Sequence, residues 1–210
     1  MEKGNRTLDC EVECMKIFLK TSLRACRRQA RQSIVAILFF ALSLFAADAS
    51  AKSVKIPLPP AISDSLPWFA VFELQNENSP FTRNHLSKLA SSSERVALVY
   101  YATWCIPCRE GLRQISENAA ALAEAKTKIV LVNVGEREKE SIMKFLGKFQ
   151  LEKMPAVIDP FGRMTEGFGL MKEGENIDLP RTIVVDKSMH PSFMIGAEGA
   201  DYIQILKGEL

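Results

Sequence analysis

Residues 96–108 of this 210-residue chain read Val96-Ala97-Leu98-Val99-Tyr100-Tyr101-Ala102-Thr103-Trp104-Cys105-Ile106-Pro107-Cys108. The apolar, β-branched and aromatic run at the start of this stretch predicts a buried strand. The residues after Cys108 are typical of a helix, so the two cysteines lie where a strand passes into a helix N-terminus. Unpaired N–H groups and the helix dipole favour an anion there, and we expect them to lower the pKa of the Cys105 thiol. Cys108 is close enough in sequence to form a disulfide with Cys105.

Other functions of a Cys-x-x-Cys pair have to be weighed. Zinc would need a second pair of ligands. The remaining cysteines and the histidines are Cys10, Cys14, Cys26, His85 and His190. These cysteines lie in a predicted leader, and the histidines lack metal-ligand spacing. A structural disulfide this short constrains little of the unfolded chain. A peroxidatic cysteine at 105 would need Pro at 98 and Thr at 102, where the chain has Leu98 and Ala102. We therefore predict a redox-active dithiol that uses neither a metal nor a cofactor.

The stretch around the cysteines resembles the active site of TlpA/ResA-type thiol–disulfide oxidoreductases of the thioredoxin-like superfamily. The resemblance extends over residues 67–208 and is carried by Trp104–Cys108, by the apolar segment 129–136 and by the segment 179–186. It implies an α/β, thioredoxin-like fold with a central mixed sheet flanked by helices, here with an N-terminal extension.

The resemblance also implies a set of site residues. Pro180 would be a cis-proline beside the cysteines, leaving the Leu179 backbone free to pair with an extended substrate segment. A trans-proline that opens an edge strand is the alternative. Trp104 would shape the docking surface together with Ile106 and Pro107, the latter suiting a first helical turn because it lacks an N–H. Cys105 is expected to be exposed and Cys108 buried.

Two positions depart from the family pattern and leave the proton acceptor for Cys108 open. The buried Asp six residues before the first cysteine is Val99 here, and the Glu three residues after the second cysteine is Gly111. Glu110 is one residue out of place, about 100° round the helix. Glu136, at the end of the neighbouring predicted strand, is the second candidate.

The first 51 residues predict a secretory signal peptide. Basic residues between 16 and 31 precede an apolar run at 34–47 and the small-x-small pattern Ala49-Ser50-Ala51. The run is shorter than the ~20 residues of a spanning helix, although an uncleaved membrane anchor is the alternative. We therefore expect a periplasmic or otherwise extracytoplasmic protein, soluble after cleavage, in a compartment where disulfides persist.

The remaining chain divides into a linker and one domain. Residues 52–66 are rich in Pro and Ser and predict an extended linker, and residues 67–210 predict the thioredoxin-like domain. Continuous apolar runs predict parallel strands at 96–101 and 129–134 with a helix between them. The formal net charge is only +2, and no basic patch interleaved with aromatic residues follows the leader. We therefore do not expect nucleic acid to be a partner.

The predicted function is the reduction of substrate disulfides, with cytochrome c maturation as one process it would serve. Ile106-Pro107 gives Cys105 no extra cation, which favours a reductant over a strong oxidant. Partners would be disulfide-bearing secreted or membrane-tethered proteins, and the resemblance implies a membrane electron donor for recycling. An oxidant or isomerase of the same fold, and a non-catalytic adaptor, remain alternatives.

Overall fold

The computed structural model describes residues 51–76, 79–172 and 175–210. The strands are β1 (Val54–Ile56), β2 (Ala70–Glu73), β3 (Pro80–Thr82), β4 (Arg95–Tyr101), β5 (Thr127–Val134), β6 (Ala156–Asp159), β7 (Arg181–Asp186) and β8 (Pro191–Ala197). The helices are α1 (Arg83–Ser91), α2 (Cys108–Glu117), α3 (Ala119–Glu124), α4 (Lys139–Gly147), α5 (Arg163–Gly167) and α6 (Tyr202–Lys207), with a 3-10 turn at Pro60–Ile62.

These strands form one mixed sheet of eight in the order β1-β8-β7-β4-β5-β6-β2-β3. The predicted active-site strand, β4, lies near the centre, parallel to β5 and antiparallel to β7. The connection from β4 to β5 runs through α2 and α3, which is the predicted β-α-β unit. The thioredoxin-like arrangement expected from the sequence is confirmed.

Both faces of the sheet are buried, and β4 divides its side chains between them. Val99 and Tyr101 pack with the two cysteines and with residues of α2, α3, α4 and α6. Leu98 and Tyr100 pack on the opposite face, against residues of α1, α5 and the 3-10 turn. Alternate side chains of a strand point to opposite faces, so a continuous apolar run is what a doubly covered strand requires.

The prediction that residues 52–66 form an extended linker outside the domain is wrong. Val54–Ile56 forms β1, which pairs with β8 at the edge of the sheet. Ile62 and Leu66 are 0% and 2% exposed and belong to the core. The composition of this segment indicates only a local preference for extended and turn conformations. It cannot indicate pairing with β8, because that strand lies far along the chain. The folded domain therefore includes residues that the sequence analysis placed outside it.

The helix predicted between β4 and β5 is interrupted at Asn118. This residue leaves helical geometry at φ −116° and ψ 18°, and its Nδ2 donates to the Gln114 carbonyl at 2.9 Å.

The predicted signal peptide lies outside the described residues, apart from Ala51. Within the ranges that the structure describes, the helices are all too short or too polar to span a membrane.

Candidate active site

Cys105 and Cys108 form a disulfide at the start of α2, with their Cα atoms 5.5 Å apart. Cys108 is the first residue of the helix. Its backbone N–H, which has no partner within the helix, donates to the Cys105 Sγ at 3.2 Å. A donor at a helix N-terminus stabilises negative charge on the sulfur that it faces. The arrangement therefore favours the Cys105 thiolate once the disulfide is reduced.

Cys105 is more buried than expected. Its exposed fraction is 3%, against 2% for Cys108, whereas the sequence analysis expected an exposed leading cysteine. In the disulfide the two sulfurs cover one another, and both belong to the hydrophobic cluster beneath α2. The neighbours Trp104 and Ile106 are 61% and 72% exposed, so the surface around the disulfide is apolar and open to a partner.

The peptide bond between Leu179 and Pro180 is cis, as the family resemblance implied. Strand β7 begins at the next residue, Arg181, which pairs with Tyr100 of β4. The cis bond therefore lies beside the end of the strand that leads to the cysteines. The Arg181 guanidinium donates to the carbonyls of Pro180 and Gly196 at 2.9 and 3.1 Å and holds the loop against β8.

Glu136 is tied to the segment that precedes the cysteines. Its carboxylate accepts the Thr103 N–H at 2.7 Å, the Thr103 hydroxyl, and the Asn133 amide at 2.6 Å. These donors join the end of β5 to the turn after β4. Nothing in these contacts tests whether Glu136 exchanges a proton with Cys108, and its assignment as the acceptor stays a prediction.

Glu110 is engaged by neighbouring side chains of α2 at the surface. Its carboxylate pairs with the Arg113 guanidinium at 2.5 Å, and both side chains are about half exposed. The hydrogen bond from Arg113 lowers the pKa of the Glu110 carboxyl, and that from Gln114 acts in the same direction. A carboxylate held in its ionised form by such donors is a weak base.

A third carboxylate, Glu198, lies against α2 and was missed by the sequence analysis. It follows β8, and its Oε2 lies 1.8 Å from where a Cβ on Gly111 would be. The absence of a side chain at 111 is what makes room for it. Since Gly111 is far from Glu198 in sequence, the only signal available was the unusual glycine in a buried helical turn.

The electrostatics of Glu198 differ from those of the other two carboxylates. Burial raises the pKa of the Glu198 carboxyl to about 8, more than the adjacent Tyr202 hydroxyl and Gly111 N–H lower it. Among the described residues, its Oε2 has no hydrogen-bond partner. Glu198 therefore holds a proton at neutral pH in the disulfide form.

An open groove of about 420 Å³ lies beside Trp104. Its apolar walls include Val134, Pro160, Phe161 and Ile177. Phe161 is 60% exposed, and the Arg137 guanidinium lies 4.7 Å from the centre of its ring. The groove extends the active-site surface along the ends of β5 and β6, and polar residues such as Arg137 and Asn176 line it as well.

Comparisons with known proteins place this fold among redox proteins. A model of the AhpC/TSA family matches residues 64–190. The chain is similar to a secreted thiol-disulfide isomerase from Corynebacterium glutamicum, at 22% identity and a TM-score of 0.56, over 73% of this chain and 89% of that one.

Two structures from Mycobacterium tuberculosis are also similar to the chain. One is a secreted disulfide oxidoreductase homologous to E. coli DsbE, at 15% identity and a TM-score of 0.52, over 68% of this chain and 96% of that one. The other is peroxidoxin BcpB, at 18% identity and a TM-score of 0.55, over 70% of this chain and 94% of that one. At these identities the likeness establishes the fold.

The fold, together with a cysteine pair joined at the start of a helix, defines a thioredoxin-like thiol–disulfide oxidoreductase. The TlpA/ResA-type resemblance seen in the sequence is consistent with this class. Because the family model spans more than half of the chain, the chain belongs to the AhpC/TSA family.

Proposed function

We propose that this protein is an extracytoplasmic reductase that breaks disulfides in secreted or membrane-tethered proteins through the Cys105/Cys108 dithiol. The observation that carries the proposal is the hydrogen bond from the Cys108 N–H to the Cys105 Sγ. It singles out Cys105 as the sulfur whose negative charge is stabilised, which leaves Cys108 to attack the mixed disulfide. Cytochrome c maturation is the process we propose for it, with a membrane dithiol donor that restores the reduced state.

The chemical steps follow from thiolate chemistry. The Cys105 thiolate attacks one sulfur of the substrate disulfide, forming a mixed disulfide and releasing the first substrate thiolate, which takes a proton. Cys108 then loses its proton and attacks the Cys105 sulfur. This forms the Cys105–Cys108 disulfide and releases the second substrate thiolate. Two electrons pass from the protein to the substrate, and the electron donor reverses the change in the protein.

The surface around the disulfide supports docking of an extended apolar segment. Trp104 and Ile106 are exposed on either side of Cys105, and Leu179 precedes the cis-proline at the end of β7. We propose that the Leu179 backbone pairs with an extended substrate segment, a local case of strand addition. Apolar residues on either side of the substrate cysteine would then contact Trp104 and the groove beside it.

The direction of the reaction is argued from the residues between the cysteines. An oxidant is strong when its reduced form is stabilised, which extra cations beside the thiolate achieve. Ile106 and Pro107 supply none, and the one favourable contact that we identify is a single backbone N–H. This supports a reductant. The secreted redox proteins with the same fold support a location outside the cytoplasm.

Peroxide reduction is the second candidate, since one of the similar structures is named as a peroxidoxin. The residues that would support it are absent around Cys105, because Leu98 and Ala102 occupy the positions that a peroxidatic motif gives to Pro and Thr. Both of these side chains are 0% exposed and are part of the core. We therefore favour disulfide exchange over peroxide reduction.

The proposal is tested by supplying the reduced protein with insulin or with hydrogen peroxide. We expect insulin disulfides to be reduced with the oxidation of one dithiol per disulfide, and Cys105→Ser to abolish the reaction. The reduction potential, measured by equilibration with dithiothreitol, should lie nearer to about −270 mV, the thioredoxin value, than to about −120 mV, that of DsbA. Faster turnover of peroxide than of insulin, or a potential near that of DsbA, would reject the reductase.

A further inference from the structure

We propose that Glu198 accepts the Cys108 proton when Cys108 attacks the mixed disulfide, and returns that proton when the donor reduces the protein. The inference rests on the proposed function and deepens it by assigning the step that the sequence left open. The proton acceptor would come from the connection between β8 and α6, because α2 itself carries no suitable side chain for this step.

The position of Glu198 follows from helix geometry. Gly111 is three residues after Cys108, and residues at this spacing are neighbours on one helix face, with about 5–6 Å between β-carbons. Helical Cα–Cβ bonds tilt toward the N-terminus, which here is the Cys108 end of α2. The Glu198 Oε2 lies 1.8 Å from the Cβ position of residue 111. A carboxylate oxygen is thus held where a side chain of α2 would begin, one turn from Cys108 and on its face.

The surroundings of Glu198 suit proton exchange. The titratable groups that act on its carboxyl are Tyr202 from α6 and Glu110 from α2. Glu110 raises the pKa of the Glu198 carboxyl by like charge, adding to the larger effect of burial. The Tyr202 hydroxyl is itself fixed by Thr182 of β7, at 2.8 Å. Since Oε2 has no partner among the described residues, one carboxylate oxygen is left available for a proton.

The proton balance closes over one cycle. In the disulfide form the Glu198 carboxyl keeps its proton at neutral pH. When the donor attacks Cys105, the Cys108 sulfur leaves as a thiolate and takes this proton. When substrate forms the mixed disulfide with Cys105, the Glu198 carboxylate takes the proton back and Cys108 attacks as a thiolate. Burial raises the pKa of the Glu198 carboxyl to about 8, toward the range in which thiols titrate, and so narrows the difference in proton affinity between a carboxyl and a thiol.

The other two carboxylates are less suited to this step. Glu136 already accepts hydrogen bonds from Thr103 and from the Asn133 amide. Glu110 is half exposed and paired with Arg113, which lowers its carboxyl pKa. The Glu136 carboxylate is thus engaged by the segment before the cysteines, and the Glu110 carboxyl is held as an anion. Burial acts on the Glu198 carboxyl in the opposite sense and raises its pKa.

The test separates the two steps with a synthetic disulfide, 5,5′-dithiobis(2-nitrobenzoate), mixed in equal amount with the reduced protein. Attack by Cys105 releases the first coloured thiolate, and the attack of Cys108 on the mixed disulfide releases the second. At pH 7 we expect Glu198→Gln to slow the second release at least tenfold and the first by less than twofold. The difference should shrink at high pH, where hydroxide can take the Cys108 proton in place of Glu198.

Two further variants test the geometry. Gly111→Ala places a methyl group within 1.8 Å of the Glu198 Oε2 and must displace the carboxylate, so it should slow the second release as well. The double variant Gly111→Glu with Glu198→Ala returns a carboxylate to α2 and should recover part of the rate. Glu117→Gln is the matched control, because Glu117 lies on the same helix but is exposed and paired with Arg113 at the surface.

The inference is overturned if Glu198→Gln leaves the second release unchanged at pH 7, or slows both releases equally. It is also overturned if Glu136→Gln, rather than Glu198→Gln, slows the second release selectively. For a substitution that fails to fold, carbon-13 NMR of the wild-type oxidised protein provides the answer. The Glu198 carboxyl should titrate near pH 8 and change on reduction, and a midpoint near 4.5 would reject it.

Failure of this inference and failure of the proposed function can be told apart. A protein that does not reduce insulin would reject the proposed function, while the two-step reaction with the small disulfide still decides the role of Glu198. Conversely, insulin reduction that survives Glu198→Gln, with an unchanged second release, rejects only this inference.

Discussion

The reactivity of Cys105 depends on a backbone amide, that of Cys108. The N–H of Cys108 has no acceptor within α2 and donates instead to the Cys105 sulfur at 3.2 Å. The same contact makes the start of the helix part of the active site. The two residues between the cysteines, Ile106 and Pro107, carry no charge. The reactivity of Cys105 is therefore tuned by the helix start and by what occupies position 106.

Ile106→His is predicted to turn the protein toward an oxidant. Ile106 is 72% exposed, so a histidine there fits without repacking. Its imidazolium would stabilise the Cys105 thiolate and hence the reduced form. We expect the equilibrium constant for reduction to rise at least tenfold at pH 6, which corresponds to about 30 mV for this two-electron couple. Ile106→Leu is the control, and an equal shift in both variants would contradict the electrostatic explanation.

The residues of the redox pair were predictable from sequence, whereas Glu198 was not. Cys105 and Cys108 are marked by a local pattern, a buried strand that ends in Cys-x-x-Cys. The contact between Gly111 and Glu198 joins α2 to the connection after β8, and no local pattern encodes it. The burial of Cys105 was also not predictable, because it depends on how the disulfide packs on the core.

At the scale of elements, the residues just before β1 brace the connection that carries Glu198. The Ala51 carbonyl accepts the Ala200 N–H at 2.9 Å, and the Ser53 hydroxyl accepts the Gly199 N–H at 2.8 Å. The Ser53 N–H in turn donates to the Asp201 carboxylate at 2.6 Å. A Cβ on Gly199 would lie 2.3 Å from the Ala51 carbonyl oxygen, so the two segments are in close backbone contact. The segment before the predicted domain therefore helps to position the proton acceptor we propose.

Asp201→Ala is predicted to loosen β1. The Ser53 N–H lowers the pKa of the Asp201 carboxyl, so this contact stabilises the fold above the ordinary pKa of about 4 and is lost as the pH falls through the lowered value. At pH 7 we expect faster amide hydrogen exchange across 53–56 in the variant, and unchanged exchange in β4 and β5. Equal amide hydrogen exchange of β1 in the variant and in the wild type would contradict a stabilising role for the contact between Ser53 and Asp201.

The central elements were predictable and the edge elements were not. β4 and β5 carry continuous apolar runs long enough to be identified alone, and α4 has the spaced apolar residues Ile142, Phe145 and Leu146. β1 and β3 have only three residues each, and their existence depends on the strands they pair with. The end of α2 at Asn118 likewise depends on packing against the sheet, in a segment whose composition favours one longer helix.

For the whole molecule, a buried carboxyl that keeps its proton links folding to pH. The pKa of Glu198 is about 8 in the folded protein, against 4.5 for a solvated glutamate. Its contribution to stability is therefore complete below about pH 4.5 and is lost as the pH rises toward 8, since the unfolded chain releases a proton in this range. The rate of loss is at most about 1.4 kcal/mol per pH unit for one group.

Glu198→Gln should remove this dependence. We expect the free energy of urea unfolding of the oxidised wild-type protein to fall between pH 5 and pH 8 relative to that of the variant, by about 2–4 kcal/mol if the shift is fully expressed. Glutamine matches the size of the side chain and does not titrate. Parallel pH profiles for the two proteins would mean that Glu198 is ionised in the folded state.

The central claim is that Cys105 attacks and Cys108 resolves, and a trapped intermediate tests it most directly. Reduced Cys108→Ser is mixed with a disulfide-containing protein substrate, and the products are digested without reduction and analysed by mass spectrometry. The account predicts a persistent mixed disulfide between Cys105 and a substrate cysteine, and none with the wild-type protein, in which Cys108 releases the substrate. Absence of this adduct, or a stable adduct formed through Cys108 by Cys105→Ser instead, would contradict the account.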